Sequence, residues 1–221
     1  YGTQHTTHNT QQRKIGSFKL LDRWILSRLN NTIKIVRQNL DKYEVTQAAR
    51  PIDDFVDDLS RWWLRRSRNR FLGQNAGIAS AVLRLVMEEL SKLIAPFTPF
   101  LAEYIWHNAG NKESVHLQDY PKAEAKLINA ALEKPMAVIR NLAAKALALR
   151  AEAGIKVRQP LASLKIRSSK SEIRNNEELL ELIKDEINVK EIVFDKNIKK
   201  EFELDTKITP ELKEEGLVRE L

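Results

Sequence analysis

Apolar residues recur at helical spacing through the first two thirds of the chain. Leu21, Trp24, Ile25 and Leu29 are separated by steps of three and four residues, which predicts an amphipathic helix that continues to Leu40. The same period, interrupted by proline and glycine, predicts further helices over residues 46–71, 76–94, 98–106 and 123–153. The first two thirds of the chain are therefore expected to form a helical bundle.

Residues that favour helix ends or bends refine these bounds. Thr46 and Thr98 are predicted N-caps of the second and fourth helices, and Gly154 closes the fifth. Pro51 predicts a bend in the second helix or a later start, because proline cannot donate the helical hydrogen bond. Pro135 predicts a break or kink in the fifth helix for the same reason.

The period changes after Gly154. Leu164 and Ile166 alternate with Lys165 and Arg167, which predicts a strand. The remaining pattern predicts a helix over 179–187, strands over 189–194 and 202–204, and a last helix that begins at 209–210. The predicted fold is mainly α, with a flexible lead-in over residues 1–16, a helical bundle over 17–153 and a small α+β subdomain over 154–221. Because the last helix is still running at residue 221, we expect the chain to be a truncated piece of a longer protein.

Composition narrows the functional classes. The 221 residues carry a formal net charge of +7 and no cysteine, so disulfides, thiolate zinc sites and thiol nucleophiles are excluded. No apolar run approaches the roughly 20 residues that span a bilayer, and the polar start lacks the apolar centre of a secretion signal. These features predict a cytoplasmic protein with a polyanionic partner.

A cluster of arginines gives the strongest local signal. Residues 61–70 contain five arginines (Arg61, Arg65, Arg66, Arg68 and Arg70) and the adjacent pair Trp62 and Trp63. Guanidinium groups suit phosphate, and tryptophan offers a face on which a base can stack. The cluster therefore points to RNA, although tryptophans more often belong to a core than offer a stacking face for a base.

Steps of 100° per residue divide these arginines between two faces. Arg61, Arg65 and Arg68 share a sector with Asp54, Asp57 and Asp58, so this face is also explained as a solvated stripe of ion pairs. Arg66 and Arg70 fall among the apolar positions. Either they meet buried acids from another helix, or they emerge beside tryptophan at the mouth of a groove.

A second basic strip covers residues 154–171. It contains Lys156, Arg158, Lys165, Arg167 and Lys170 and no acidic residue. The strip is either an ordinary solvated strand face or a set of phosphate contacts.

Catalytic and metal-binding patterns are absent from the sequence. There is no paired-carboxylate, nucleophile–base or glycine-rich phosphate-loop arrangement. Asp53, Asp54, Asp57 and Asp58 have helical spacing beside arginines, so surface ion pairing explains them better than a metal site. His5 and His8 have no further ligand candidate nearby. No catalytic residue and no metal ligand is assigned.

Several segments resemble the anticodon-binding helical domain of class I aminoacyl-tRNA synthetases. LDRWILSRLN at 21–30 is similar to the opening of that domain, DDLSRWWLRRSR at 57–68 to its second helix, and APFTPFLAE at 95–103 and SVHL at 114–117 to later parts. The isoleucyl, valyl and leucyl branches share these motifs. AGIKVRQPL at 153–161, NVKE at 188–191 and PELKEEGL at 210–217 resemble the isoleucyl branch more narrowly.

The resemblance implies a division of labour. This region would pack against the anticodon stem and loop of an isoleucine-accepting tRNA, while ATP- and magnesium-dependent chemistry occurs in the catalytic domain of the same parent chain. The His-Ile-Gly-His-like and Lys-Met-Ser-Lys-Ser-like signatures of that domain are absent, and SSKS at 168–171 follows the bundle instead of preceding it. We expect no cofactor in this region, no membrane contact and a monomer.

The residues expected to bind tRNA are Arg65, Arg66, Arg68, Arg70, Trp62, Lys156, Arg158 and Gln159. Two alternatives stay open at this point. One is a valine-type synthetase fragment, and the other is a helical module for protein–protein contact, whose binding would depend less on salt.

Overall fold

A computed structural model describes residues 18–72, 76–167 and 171–218, and the chain separates into two compact units, Tyr1–Ala130 and Ala131–Leu221. The predicted lead-in, with His5 and His8, and Lys170 lie outside the described residues. The helices of the first unit are α1 (Leu20–Leu40), α2 (Val45–Asp57), a π-helical segment (Asp58–Leu64), α3 (Arg65–Ser67), a 3-10 turn (Arg68–Leu72), α4 (Ala76–Ile94) and α5 (Pro99–Asn108). Short 3-10 turns follow at Val115–Leu117 and Ala125–Leu127.

The core of the first unit lies between α1, α2 and the helical segments that follow α2. Trp24 and Ile25 on α1, Phe55 on α2 and Trp63 in the π-helical segment are at most 1% exposed. Burying side chains of this size stabilises the fold by roughly 2–3 kcal/mol each. The predicted helix α1 is confirmed, and Trp24, Ile25, Leu29 and Ile33 of its apolar period are buried.

Helix α2 tolerates an internal proline. Pro51 lies inside α2, where it cannot donate to the carbonyl of Gln47 four residues earlier. The Asn39 side-chain amide of α1 donates to that carbonyl at 3.3 Å instead. The predicted cap at Thr46 is wrong, because the helix begins at Val45, before Thr46, and its N-cap residue makes no side-chain bond.

The junction between α4 and α5 follows the sequence prediction in position. Thr98 is the N-cap residue of α5 and Pro99 is its first residue, although the Thr98 side chain makes no capping bond to the helix. After α5, Gly110 adopts a φ of 97°, a conformation that glycine reaches without strain.

The second unit combines one long helix with a small sheet. Its elements are α6 (Ala130–Glu152), β1 (Leu161–Arg167), α7 (Ser171–Arg174), α8 (Glu177–Ile187), β2 (Val189–Asp195), β3 (Phe202–Leu204) and α9 (Pro210–Val218). The strand order is β2-β1-β3, with β1 parallel to β2 and antiparallel to β3. Leu164 and Ile166 of β1 are fully buried, as their alternation predicts. The predicted mainly α fold with a small α+β part is confirmed.

The long helix starts later than its pattern predicts. Residues 123–129 were expected to be helical, but the helix begins at Ala130 and Pro135 does not break it. Two side chains of α1 explain the delay, because Asn30 Oδ1 accepts from the Glu124 amide at 2.8 Å and Ser27 Oγ from the Asn129 amide at 2.7 Å. These amides are satisfied without a helix.

The compact units divide at Ala130, whereas the apolar period changes at Gly154. The two divisions describe different properties, since one reflects which residues pack together and the other reflects local structure. The domain bounds predicted from the sequence therefore stay a prediction.

Candidate nucleic-acid interface

The arginine cluster lies where the long helical stretch changes its winding. Residues Asp58–Leu64 form a π-helix between α2 and α3, with Arg61 inside it. A π-helix holds more residues per turn than an α-helix, and such segments occur often at functional sites. The buried positions Phe55, Leu59, Trp63 and Ser67 are accordingly four residues apart. Steps of 100° per residue therefore place side chains incorrectly through this segment.

The structure corrects the predicted position of Asp58. The sequence pattern placed Asp58 on a solvated face with Asp54 and Asp57, and this prediction is wrong, because the side chain is 1% exposed. Its Oδ2 accepts from Arg28 Nε of α1 at 2.8 Å. The expected surface pair does form at Asp57, whose Oδ1 lies 2.6 Å from Arg61 Nε.

Asp22 is the centre of a buried hydrogen-bond network. The carboxylate is fully buried, and its Oδ1 accepts from Trp63 Nε1 at 2.9 Å and from Arg70 Nη1 at 2.8 Å. Oδ2 accepts from Arg70 Nη2 at 2.7 Å and from the Lys19 amide at 3.1 Å. Bidentate arginine–carboxylate pairs are strong and fix the orientation of both groups. The network ties the end of the arginine cluster to the start of α1.

This geometry distinguishes the candidate residues of the cluster. Arg70 follows the first of the two alternatives, since its guanidinium meets a buried acid from another helix and its side chain is 12% exposed. Trp62 is 8% exposed and therefore belongs to the core. Arg66 is half-buried, whereas Arg65 and Arg68 are exposed. Arg65 Nε also donates to the Arg61 carbonyl at 2.9 Å, which holds the side chain along the helix.

Positive charge is concentrated in the unit that carries the cluster. Residues 1–130 contain 19 basic and 13 acidic side chains, so six of the seven net positive charges of the chain lie there. Residues 61–70 contain no acid. The exposed part of the cluster can therefore attract a polyanion, and its field would be screened by salt.

The second basic strip is divided between a loop and a strand. In the loop over residues 154–160, Lys156 and Arg158 are exposed. Gln159 is half-buried, and its Nε2 donates to the Leu212 carbonyl at 2.6 Å and the Pro160 carbonyl at 3.1 Å. The Gln159 side chain thus connects the loop to α9.

The strand part of the strip is balanced by acids. Lys165 and Arg167 of β1 are exposed, as predicted. Lys165 pairs in register with Glu203 of β3, and Arg167 pairs with Asp195 of β2. Neighbouring residues in register share a face of the sheet. This face is mixed in charge, which agrees with the simpler of the two interpretations, an ordinary solvated strand face.

Asp22 and the separate pair Arg28–Asp58 were not recognised from the sequence as determinants of the site. The available signal was an acid inside the apolar pattern of α1, since Asp22 stands between Leu21 and Trp24. A charge at such a position needs a buried partner. Among the described residues, no group of three or more side chains could hold a metal ion.

Comparison with known proteins shows the family. A family model described as "Anticodon-binding domain of tRNA ligase" matches residues 22–166. The chain belongs to this family.

The names of similar proteins are consistent with this family. The chain is 42% identical over 191 residues to an isoleucine–tRNA ligase of Bacillus thuringiensis (strain Al Hakam), across 84% of this chain and 18% of that protein. It is 41% identical over 189 residues to the isoleucine–tRNA ligase of Dehalococcoides mccartyi (strain CBDB1), across 80% and 19%, respectively. The isoleucine–tRNA ligase of Deinococcus radiodurans is 36% identical over 183 residues, across 79% and 17%. The chain thus spans about a fifth of the length of these relatives.

The family match includes both basic regions. It begins at Asp22, the centre of the buried network, and ends at Ile166 inside β1. The arginine cluster and the loop over 154–160 therefore both lie within the anticodon-binding family region. Among the described residues, no helix is long and apolar enough to span a bilayer.

Proposed function

We propose that this chain is the tRNA-anticodon-binding part of an isoleucine–tRNA ligase. It holds an isoleucine-accepting tRNA, while the catalytic domain of the same parent chain attaches isoleucine with ATP and Mg²⁺. The family match and the names of the similar proteins support this assignment. In this proposal the chain works as one copy and contributes binding without chemistry.

One observation carries the proposal. Arg65 and Arg68 are exposed beside a half-buried Arg66, in a stretch without acids whose backbone is fixed by Arg70 on Asp22. Exposed guanidinium groups on a rigid helix contact phosphates without losing much conformational freedom. The bases of a single-stranded loop would then be read by stacking and by hydrogen bonds to their edges.

The other candidate residues divide into contacts and supports. Lys156 and Arg158 are proposed as additional phosphate contacts, because both are exposed in a loop without acids. Arg70 and Gln159 are proposed as supports, since their polar atoms already bind groups of the protein. Trp62 is a support because it is buried.

The test is a salt titration of binding to isoleucine tRNA, with valine tRNA as competitor. Replacing Arg65 and Arg68 together with alanine removes two phosphate contacts, so the slope of log K against log salt should fall in magnitude by about 1.5. The affinity at 0.2 M salt should then fall about tenfold. Arg61→Ala is the matched control, because Arg61 lies in the adjoining π-helical segment and is an exposed arginine in an ion pair with Asp57.

Three results would contradict the proposal. An unchanged slope in the double variant rejects Arg65 and Arg68 as contacts. An equal loss in Arg61→Ala means that general charge, not a defined contact, governs binding. Preference for valine tRNA supports the valine-type assignment in place of the isoleucine-type one.

A second function, contact with another protein, is favoured by one face of α5. Phe100 is 91% exposed, Tyr104 68% and Leu101 51%, and residues 76–130 hold five basic and six acidic side chains. An exposed apolar face of this kind is typical of protein contact. Binding through it should persist at high salt, whereas RNA binding should not.

A further inference from the structure

The loop over residues 154–160 is held by its carbonyl groups. Arg150 Nη2 donates to the Lys156 carbonyl at 2.9 Å, to the Val157 carbonyl at 3.3 Å and to the Gln159 carbonyl. Asn188 Nδ2 donates to the carbonyls of Val157 and Arg158, both at 2.9 Å. Four successive carbonyls, those of residues 156–159, therefore accept bonds from side chains of the same unit. Loop carbonyls of this kind ordinarily face water.

Fixing the carbonyls inward leaves the side chains outward. Lys156 and Arg158 are exposed, and Val157 between them is 51% exposed. Residues 153–163 contain no acid, so the charged side chains of this stretch are all positive. The loop thus displays two positive charges in a defined backbone conformation.

Arg150 is an unusual support. It is fully buried at the end of α6, and burial lowers the pKa of its guanidinium. Its Nε and Nη1 are buried without a hydrogen-bond partner among the described residues. Burying donors without partners costs free energy.

Asn188 is the second support and has its own backbone requirement. It occupies the left-handed region with φ 51° and ψ 61° as the C-cap of α8, directly before β2. Asparagine reaches this region more readily than most residues, and here its side chain turns to the loop. The end of α8 and the end of α6 therefore hold one loop.

We propose that Arg150 and Asn188 are positioning residues that hold Lys156 and Arg158 in place for RNA phosphates, an inference that rests on the proposed function. Ordering a mobile backbone residue on binding costs conformational free energy. A loop that is ordered before binding does not lose this free energy on contact with RNA, so its cations bind more tightly than the same cations on a mobile loop.

The experiment uses the 221-residue chain, isoleucine tRNA and two measurements. The first is amide hydrogen exchange at Gln159, whose amide donates to the Lys156 carbonyl at 3.1 Å. The second is tRNA affinity as a function of salt.

Asn188→Gly removes the side-chain amide and keeps the left-handed backbone accessible. Arg150→Met removes the guanidinium with a similar volume. Lys145→Ala is the control on α6, because Lys145 pairs with Glu201 at 2.8 Å instead of contacting the loop.

Both variants should speed exchange at Gln159 at least tenfold and weaken tRNA binding at least threefold, while the control changes neither. Removing Lys156 and Arg158 together should lower the salt slope by about 1.5. In that background Asn188→Gly should have no further effect on affinity, because it acts through the two cations. If Arg150→Met fails to fold, Asn188→Gly decides the question alone.

The contrary outcomes are distinct. Suppose that the variant without Lys156 and Arg158 binds tRNA weakly. Faster exchange with unchanged affinity in Asn188→Gly or Arg150→Met then overturns the positioning role and leaves the proposed function intact. Unchanged exchange in Asn188→Gly overturns the positioning role as well. Full affinity without Lys156 and Arg158 removes the loop from the proposed function, and the inference fails with it, whereas the contacts at Arg65 and Arg68 are tested separately.

Discussion

Replacing Asp22 with asparagine tests how the arginine cluster is anchored. The carboxylate accepts four hydrogen bonds, two of them from Arg70, and is fully buried. Asparagine has only one side-chain oxygen, so its amide NH2 group must replace one carboxylate oxygen and face that oxygen's hydrogen-bond donors. Arg70 would keep its charge at 12% side-chain exposure without a carboxylate partner. Breaking a buried pair in this way costs about 3–5 kcal/mol.

This loss of unfolding free energy can be converted into a shift in melting temperature. For a chain of this size, 1 kcal/mol shifts the midpoint by about 2–4 °C, so Asp22→Asn should lower it by roughly 6–20 °C. Thermal and urea unfolding, followed by circular dichroism, measure both quantities. Asp57→Asn is the matched control, because Asp57 and Arg61 are 42% and 77% exposed. Exposed pairs contribute about 0–1 kcal/mol, so this variant should resemble the wild type.

A double variant separates the pair from the rest of the network. If Arg70→Met is added to Asp22→Asn, the unpaired charge disappears and part of the lost stability should return. A destabilisation below about 1 kcal/mol in Asp22→Asn would refute the reasoning, since it would mean that water or a neighbouring group replaces the lost acceptor.

Two further predictions concern the first unit. The pKa of His107 is raised by the hydrogen bond of its Nδ1 to the Asn111 carbonyl and by Glu103, whose Oε1 lies 3.2 Å from Nε2. The stability that this histidine contributes is therefore complete below its pKa in the unfolded chain, and it is lost as the pH rises through the raised pKa in the folded protein. NMR titration should show a lower pKa for His107 in Glu103→Gln. Asn39→Ala leaves the carbonyl freed by Pro51 without its side-chain donor and should cost about 1 kcal/mol in urea unfolding, whereas no loss would show that water replaces the amide.

Helix and strand positions followed from the sequence because local spacing and burial agree. The alternation of Leu164 and Ile166 predicted β1, and the apolar period of Trp24, Ile25 and Leu29 predicted α1, since these side chains are all buried. The start of α6 could not be predicted in this way. The amides of Glu124 and Asn129 bind side chains of α1, and the period of residues 123–129 contains no sign of this long-range contact.

The roles of the charged residues were predicted only in part. Sequence spacing identified Arg61–Asp57 as a surface pair, because both residues lie on one turn. It left Arg70 with two interpretations, since the partner Asp22 lies 48 residues earlier in the chain. Asp58 was misplaced because its partner Arg28 lies on α1, 30 residues earlier in the chain. Arg150 gave no signal, because nothing in its own helix indicates carbonyl acceptors in the following loop.

Each of the two basic regions is held in place by a buried charged side chain, which is negative in the first unit and positive in the second. In the first unit a buried carboxylate, Asp22, binds cationic and neutral donors and thereby fixes the helical segments that carry Arg65 and Arg68. In the second unit a buried cation, Arg150, binds carbonyl acceptors and fixes the loop that carries Lys156. Burying each charge costs desolvation free energy, and each buried group removes conformational freedom that binding would otherwise have to remove. Replacing Asp22 or Arg150 should therefore weaken RNA binding although neither side chain contacts RNA. These losses of affinity should disappear once the exposed cations of the same region have been removed.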